Sequence, residues 1–217
     1  MDFQQCSCNG SQKAATAEEQ RAKDEVLREN VMNKTVQLIY IEGIIPEENL
    51  ELLRSKLGNH DIGFEWHDMS GAPQAAISDF LAPIILSLPS DVVQAYILGL
   101  ANSVSYDLLK LSILEIWHNI TGKKYNKITS NNIQEIEASF DLNVDTPGKT
   151  KFKFKLAGNI SDNLKEKCID NAFQLIESKS YPENHTEYIC SYDTDNEQWE
   201  KLEQFEFIKK YIIPKNG

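Results

Sequence analysis

The sequence predicts an α+β protein in which a βαβ unit, a long apolar helical hairpin and a ββαββ region follow one another. Three observations lead to this class. Apolar and polar residues alternate over residues 136–144 and 151–156, as they do in half-buried strands. The run TVQLIYI from Thr35 is apolar on both faces, as in a central strand. Charged side chains nearly vanish between residues 72 and 120, although the chain of 217 residues has a net charge of -11.

The βαβ unit opens the first structured region, residues 35–122. After its first strand, Pro46 suits the first turn of a helix, and the two glutamates that follow place negative charge at the positive end of the helix dipole. Leucines then recur at helical spacing as far as Gly58, which is expected to end the helix. The segment IGFEWHDM from Ile62 predicts a second strand. If the two strands are parallel, the crossover between them should be right-handed.

The charge-poor segment predicts two helices, the first over residues 73–87 with a bend at Pro83 and the second from the N-cap residue Ser90 towards His118. Both are apolar around most of their circumference, which normally means burial on nearly all sides. Three interpretations are open: a core helix pair, a seam between copies, or a membrane-seeking hairpin. The charge-free runs fall short of the roughly 20 residues that span a bilayer, which disfavours the membrane interpretation.

A stripe of small residues marks the second of these helices. Ala95, Gly99 and Ser103 follow one another at four-residue intervals, a spacing that lets two helix backbones approach closely. The stripe predicts a self-association face, and packing against residues 73–87 of the same chain is the alternative.

The second structured region, residues 132–217, is expected to contain an antiparallel hairpin, a helix after the N-cap residue Ser161, and a further hairpin around residues 194–196. In the first hairpin we expect Val144 opposite Thr150 and Asp141 opposite Lys153, because this register pairs apolar and oppositely charged side chains. Residues 123–132 are the predicted linker between the regions. Whether the second region shares one sheet with residues 35–68 or forms a separate lobe is left open.

Residues 1–34 are polar and are expected to be partly disordered. They contain no basic stretch followed by an apolar one, so we expect a cytoplasmic protein. The chain has four cysteines, of which Cys6 and Cys8 form the one close pair, and two ligands do not complete a tetrahedral zinc site. Neither a metal nor a cofactor is predicted.

The densest cluster of ionisable residues near a strand end is Glu65, His67 and Asp68, which are residue types used in acid–base catalysis and metal binding. A second histidine at metal-binding spacing does not follow them, so a half-exposed strand end is the favoured interpretation. A nucleotide phosphate site is disfavoured because IEGIIPEE, the nearest match to a phosphate loop, has one glycine and several acids. The sequence pI of about 4.9 disfavours attraction to nucleic acid or anionic lipid.

These observations together predict a cytosolic, non-enzymatic interaction or oligomerisation protein, a subunit of a larger assembly whose partner is itself, another protein, or both. One alternative is a membrane-acting effector that uses the apolar hairpin of residues 72–120. A second alternative is a hydrolase or nuclease that uses Glu65, His67 and Asp68, so an enzymatic role is disfavoured but left open.

Overall fold

The computed structural model describes residues 34–41, 43–69, 84–97, 103–128, 133–156, 160–178 and 186–211. The strands are β1 (Thr35–Tyr40), β2 (Gly63–Asp68), β3 (Ile84–Leu88), β4 (Lys124–Ile128), β5 (Ile133–Glu137), β6 (Phe140–Asp145), β7 (Lys151–Leu156), β8 (Glu187–Asp193) and β9 (Gln198–Glu203). The helices are α1 (Glu47–Gly58), α2 (Ser90–Val92), α3 (Ser103–Ile120), α4 (Asp162–Glu177) and α5 (Gln204–Tyr211). A π-helical segment, Val93–Ile97, continues α2. The predicted α+β class is confirmed.

A mixed sheet of seven strands, in the order β2-β1-β3-β6-β7-β8-β9, organises the described residues. The pairs β1–β2, β3–β6 and β7–β8 are parallel, and the other neighbours are antiparallel. Strands of both predicted regions therefore lie in one sheet and meet at the parallel pair β3–β6. Strands β4 and β5 form a separate two-stranded sheet.

One face of the large sheet carries the hydrophobic core. Core side chains lie side by side across five neighbouring strands at Leu38, Leu86, Leu142, Phe154 and Cys190, and all are fully buried or nearly so. Helices α1, α3 and α4 pack on this face and contribute their own buried side chains to the same cluster. Helix α5 packs on the opposite face, where the Phe207 ring lies 5.5 Å from Lys155 Nζ.

Helix α3 lies between α1 and α4. The Lys56 ammonium of α1 pairs with Glu115 of α3 at 2.9 Å, and Lys110 of α3 pairs with Asp170 of α4 at 2.7 Å. The three helices therefore form one layer on one side of the sheet.

Two of the parallel pairs are joined by a single described helix each, in the crossovers β1–α1–β2 and β7–α4–β8. The pairing directions make β1 and β7 run the same way, and both crossover helices lie on the same face. In the order of the sheet, however, β2 and β8 lie on opposite sides of their starting strands. The two crossovers therefore have opposite hands, so one of them departs from the usual right-handed connection.

Strand β3 contradicts the predicted first helix of residues 73–87. It is a central strand between β1 and β6, with Leu86 opposite Leu38 on one side and Leu142 on the other. The predicted first helix is therefore wrong over residues 84–87, which belong to a strand. The reason is that a short apolar run fits a buried strand as well as a buried helix, and tertiary pairing decides between them. Residues 70–83, including the predicted bend at Pro83, lie outside the described residues.

The second predicted helix is helical in both of its described parts. Helical winding begins at Ser90 and becomes π-helical at Val93, and α3 then runs from Ser103 to Ile120, just past the predicted end at His118. Residues 98–102 are not described.

The β6–β7 hairpin has a different register from the predicted one. Val144 pairs with Phe152 and Asp141 with Lys155, which is a shift of two residues. The turn causes the shift, because the amide nitrogen and hydroxyl of Thr146 both donate to the carbonyl oxygen of Thr150, at 2.9 and 3.0 Å. A two-residue shift leaves each side chain on the same face, so the buried face is the one that the alternation predicts.

The predicted linker, residues 123–132, contains strand β4, which pairs with β5. The alternating segment 136–144 is accordingly divided between β5 and β6. The division follows Glu137, where the Ala138 amide donates to the Lys123 carbonyl at 2.8 Å and so closes the small hairpin instead of continuing the strand.

Candidate functional site

The predicted catalytic residues lie on β2, which is an edge strand in the described sheet. Glu65 and His67 are exposed on the face opposite Trp66, and Asp68 is exposed at the end of the strand. Within the described part of the chain there is no group of three or more side chains able to hold a metal ion. The enzyme hypothesis therefore stays a prediction.

The predicted self-association residues are placed only in part. Ala95 lies in the π-helical segment and packs, partly buried, against the hydrophobic core. Ser103 is the first residue of α3, and Gly99 lies outside the described residues. Because residues 98–102 lie outside the described residues, the stripe stays a prediction.

A groove crosses the outer surface of the helix layer along α3, and we call it the α3 groove. Its volume is about 480 Å³. Its walls are Lys56 of α1, Leu111, Leu114, Glu115, His118 and Asn119 of α3, and Asp162, Lys165 and Glu166 of α4.

Leucines form the apolar part of the α3 groove. Leu111, Leu114, Glu115 and His118 share the outer face of α3, because they follow the spacing of one helix face. The inner face carries the buried core residues, such as Ile113. Leu111 on the outer face remains 60% exposed. Leu114 also packs, partly buried, against the core, so Leu111 is the leucine of the groove that the core leaves exposed.

Pairs of ionisable side chains surround these leucines. Lys56 pairs with Glu115 at 2.9 Å, and His118 Nδ1 lies 3.7 Å from Asp162 Oδ1. Lys165 Nζ also contacts Asp162 Oδ1, at 3.2 Å. Acids and bases thus alternate around the groove, although the chain as a whole is strongly acidic.

A second groove, of about 400 Å³, lies at one end of the central strands of the sheet. There β3 and β6 end, and β1, β7 and β8 begin. Its ionised side chains form two pairs, Lys153 with Glu187 and Lys151 with Asp145. The buried Asn143 Oδ1 accepts no hydrogen bond from the described residues. This groove offers polar groups for hydrogen bonding, but its charges already neutralise each other.

The described cysteines are poorly suited to act as nucleophiles. Cys168 and Cys190 are free thiols buried in the core. Burial raises the pKa of Cys168 to about 11 and that of Cys190 to about 12. Because the thiolate is the reactive form, both side chains are protonated and inert at neutral pH.

Comparison with known proteins gives no guidance: neither a family model, nor a curated protein, nor a solved structure matches this chain. No helix in the described ranges is long and apolar enough to cross a membrane.

Sequence reasoning missed Leu111 and Leu114 as functional candidates. Their signal was present, because the scarcity of charge around the whole of α3 indicated cover on more than one side. The sequence did not tell which of its apolar residues the core would cover, so the small-residue stripe was favoured instead.

Proposed function

We propose that this protein is a non-enzymatic interaction protein of the cytoplasm that self-associates through the α3 groove as a subunit of a larger assembly. The observation that supports it is the exposed Leu111, held in a groove with Leu114 and surrounded by charged side chains. An apolar centre within a polar rim is the usual anatomy of a protein–protein interface.

Charge complementarity favours a second copy of this chain as the partner. A twofold interface brings the same patch together from both sides, so the patch must be complementary to itself. The rim of the α3 groove carries Lys56 and Lys165 as well as Glu115, Asp162 and Glu166. Such a mixed rim can pair with its own copy, whereas a surface of one sign would repel it.

The contribution of Leu111 can be estimated from its exposure. Full burial of a leucine side chain contributes about 1.5–3 kcal/mol. With 60% of Leu111 still exposed, covering it contributes about 1–2 kcal/mol per copy. A twofold interface contains two copies of the residue, so replacing Leu111 should weaken the dimer by about 2–4 kcal/mol, or about 30- to 700-fold in Kd.

The test is sedimentation equilibrium of the full chain between about 1 and 100 µM, a range that covers association free energies of roughly -8 to -5.5 kcal/mol. Wild type should self-associate, and Leu111→Glu should be monomeric or weakened at least about 30-fold. Leu52→Glu is the matched control, because Leu52 is 48% exposed on α1 and does not line the groove. A wild type that is monomeric throughout, or equal losses in the two variants, refutes the proposal.

The two alternatives receive less support. Part of the segment assigned to a membrane-seeking hairpin is the central strand β3, paired on both sides. Glu65 and His67 lie exposed on an edge strand, outside both grooves described above.

A further inference from the structure

Lys165 is the most unusual residue of the α3 groove. It is 3% exposed, whereas lysine is almost never fully buried without a partner. Its ammonium donates to Asp162 Oδ1 at 3.2 Å and lies 5.9 Å from the centre of the Trp117 ring. An ammonium carries three donors, so two of them have no acceptor among the described residues. A buried charge with incomplete hydrogen bonding is costly, and a further acceptor would relieve that cost.

The next residue, Glu166, has the opposite deficit. Its carboxylate is exposed, lines the same groove, and forms no hydrogen bond or ion pair with the described residues. Asp162, the nearby acid on the same helix, already contacts both Lys165 and His118. Among the described residues, the first half of α4 therefore presents a cation with a single acceptor beside a carboxylate with no donor.

Within one chain the deficit persists, since Lys165 donates its one hydrogen bond among the described residues to Asp162 and not to Glu166. Across a twofold axis, however, neighbouring positions on two antiparallel helices can face each other reciprocally. We propose that in the self-associated form Lys165 of each protomer donates to Glu166 of its partner, so that two equivalent ion pairs form. This inference rests on the proposed function and specifies how the α3 groove recognises its own copy.

The surroundings would strengthen this pair. Leu111 and Leu114 lie in the same groove, so closing it would exclude water from the two charges. Ion pairs gain strength as the local dielectric constant falls, and a hydrogen bond between charged groups is stronger than one between neutral groups. Removing one member of such a desolvated pair should weaken association by about 30-fold or more.

The decisive variant is Glu166→Gln. It removes an acid from a chain with a net charge of -11, so net charge alone should make association tighter. The reciprocal pair predicts the opposite, a loss of about 30-fold or more in sedimentation equilibrium. Glu166 is exposed, so the variant should fold. Lys167→Met is the matched control, because Lys167 belongs to the same helix but pairs with Glu197 away from the groove.

A double-mutant cycle tests whether the two residues meet. Lys165→Met alone should also weaken association, and adding Glu166→Gln to it should cost little more, because the pair is already broken. Circular dichroism shows whether Lys165→Met is folded. If that variant does not fold, Glu166→Gln alone tests the ion pair. Additive losses in the cycle, or unchanged or tighter association of Glu166→Gln, overturn the inference. If Leu111→Glu still dissociates the protein in that case, the proposed self-association is supported and only the ion pair is wrong. A monomeric wild type refutes both the self-association and the ion pair.

Discussion

Phe154→Ala tests which face of the sheet holds the core. The Phe154 side chain is 0% exposed in β7. Its ring lies 5.8 Å from that of Phe152 and meets the Trp199 ring edge-on at 4.9 Å. Truncating a buried phenylalanine typically costs about 3–5 kcal/mol, and the lost aromatic pairs place this site in the upper half of the range. We therefore expect the free energy of unfolding to fall by about 4 kcal/mol.

Urea unfolding followed by circular dichroism measures this loss. For a slope of about 2 kcal/mol per molar urea, the midpoint should fall by about 2 M without a change of slope. Phe205→Ala is the control, because Phe205 is 70% exposed on α5, and it should change stability by less than about 0.5 kcal/mol. Similar losses of stability in the two variants, or a loss below about 1 kcal/mol for Phe154→Ala, would show that the Phe154 face of β7 is not turned towards the core.

Two further predictions concern β3 and the buried thiols. Leu86→Ala should lower the free energy of unfolding by about 2–5 kcal/mol, because Leu86 is buried. Ile85 is partly exposed on the other face of β3, so Ile85→Ala should lower it by clearly less. Equal losses in urea unfolding would argue against a strand. In a variant with Cys6 and Cys8 replaced by serine, the thiols of Cys168 and Cys190 should not react with a thiol reagent at pH 8 until the protein unfolds. Rapid reaction of the folded protein would contradict their burial. Because folding raises both thiol pKa values, the free energy of unfolding should fall as pH rises above about 8.5, less steeply in Cys190→Ala.

Local patterns in the sequence determined much of the second region. The alternation in β7 depends on a strand that is covered on one side, and the structure covers that side with α4 and the core. The helix after Ser161 likewise begins where its N-cap signal predicts, with the Ser161 hydroxyl accepting from the Leu164 amide at 3.4 Å. Such signals can be read from the sequence because the groups involved are near neighbours along the chain.

The candidate site was less predictable. The sequence indicated that α3 needs cover on several sides, and it offered Ala95, Gly99 and Ser103 as the contact. The exposure of Leu111 and the burial of Lys165 depend on how α1 and α4 pack beside α3. No local pattern reports that packing, because the three helices are far apart along the chain.

By itself, the sequence determined that this is an α+β protein, that residues 84–88 must be buried, and which face of β7 is apolar. Only the tertiary structure decided that residues 84–88 form the central strand β3, that the β6–β7 turn shifts the register, and that the two crossovers have opposite hands. The physical reason is that hydrophobic burial has no direction. An apolar run shows that it must be covered, but the backbone partners that make β3 a strand belong to β1 and β6, which are distant in sequence and are brought to it only by the completed fold.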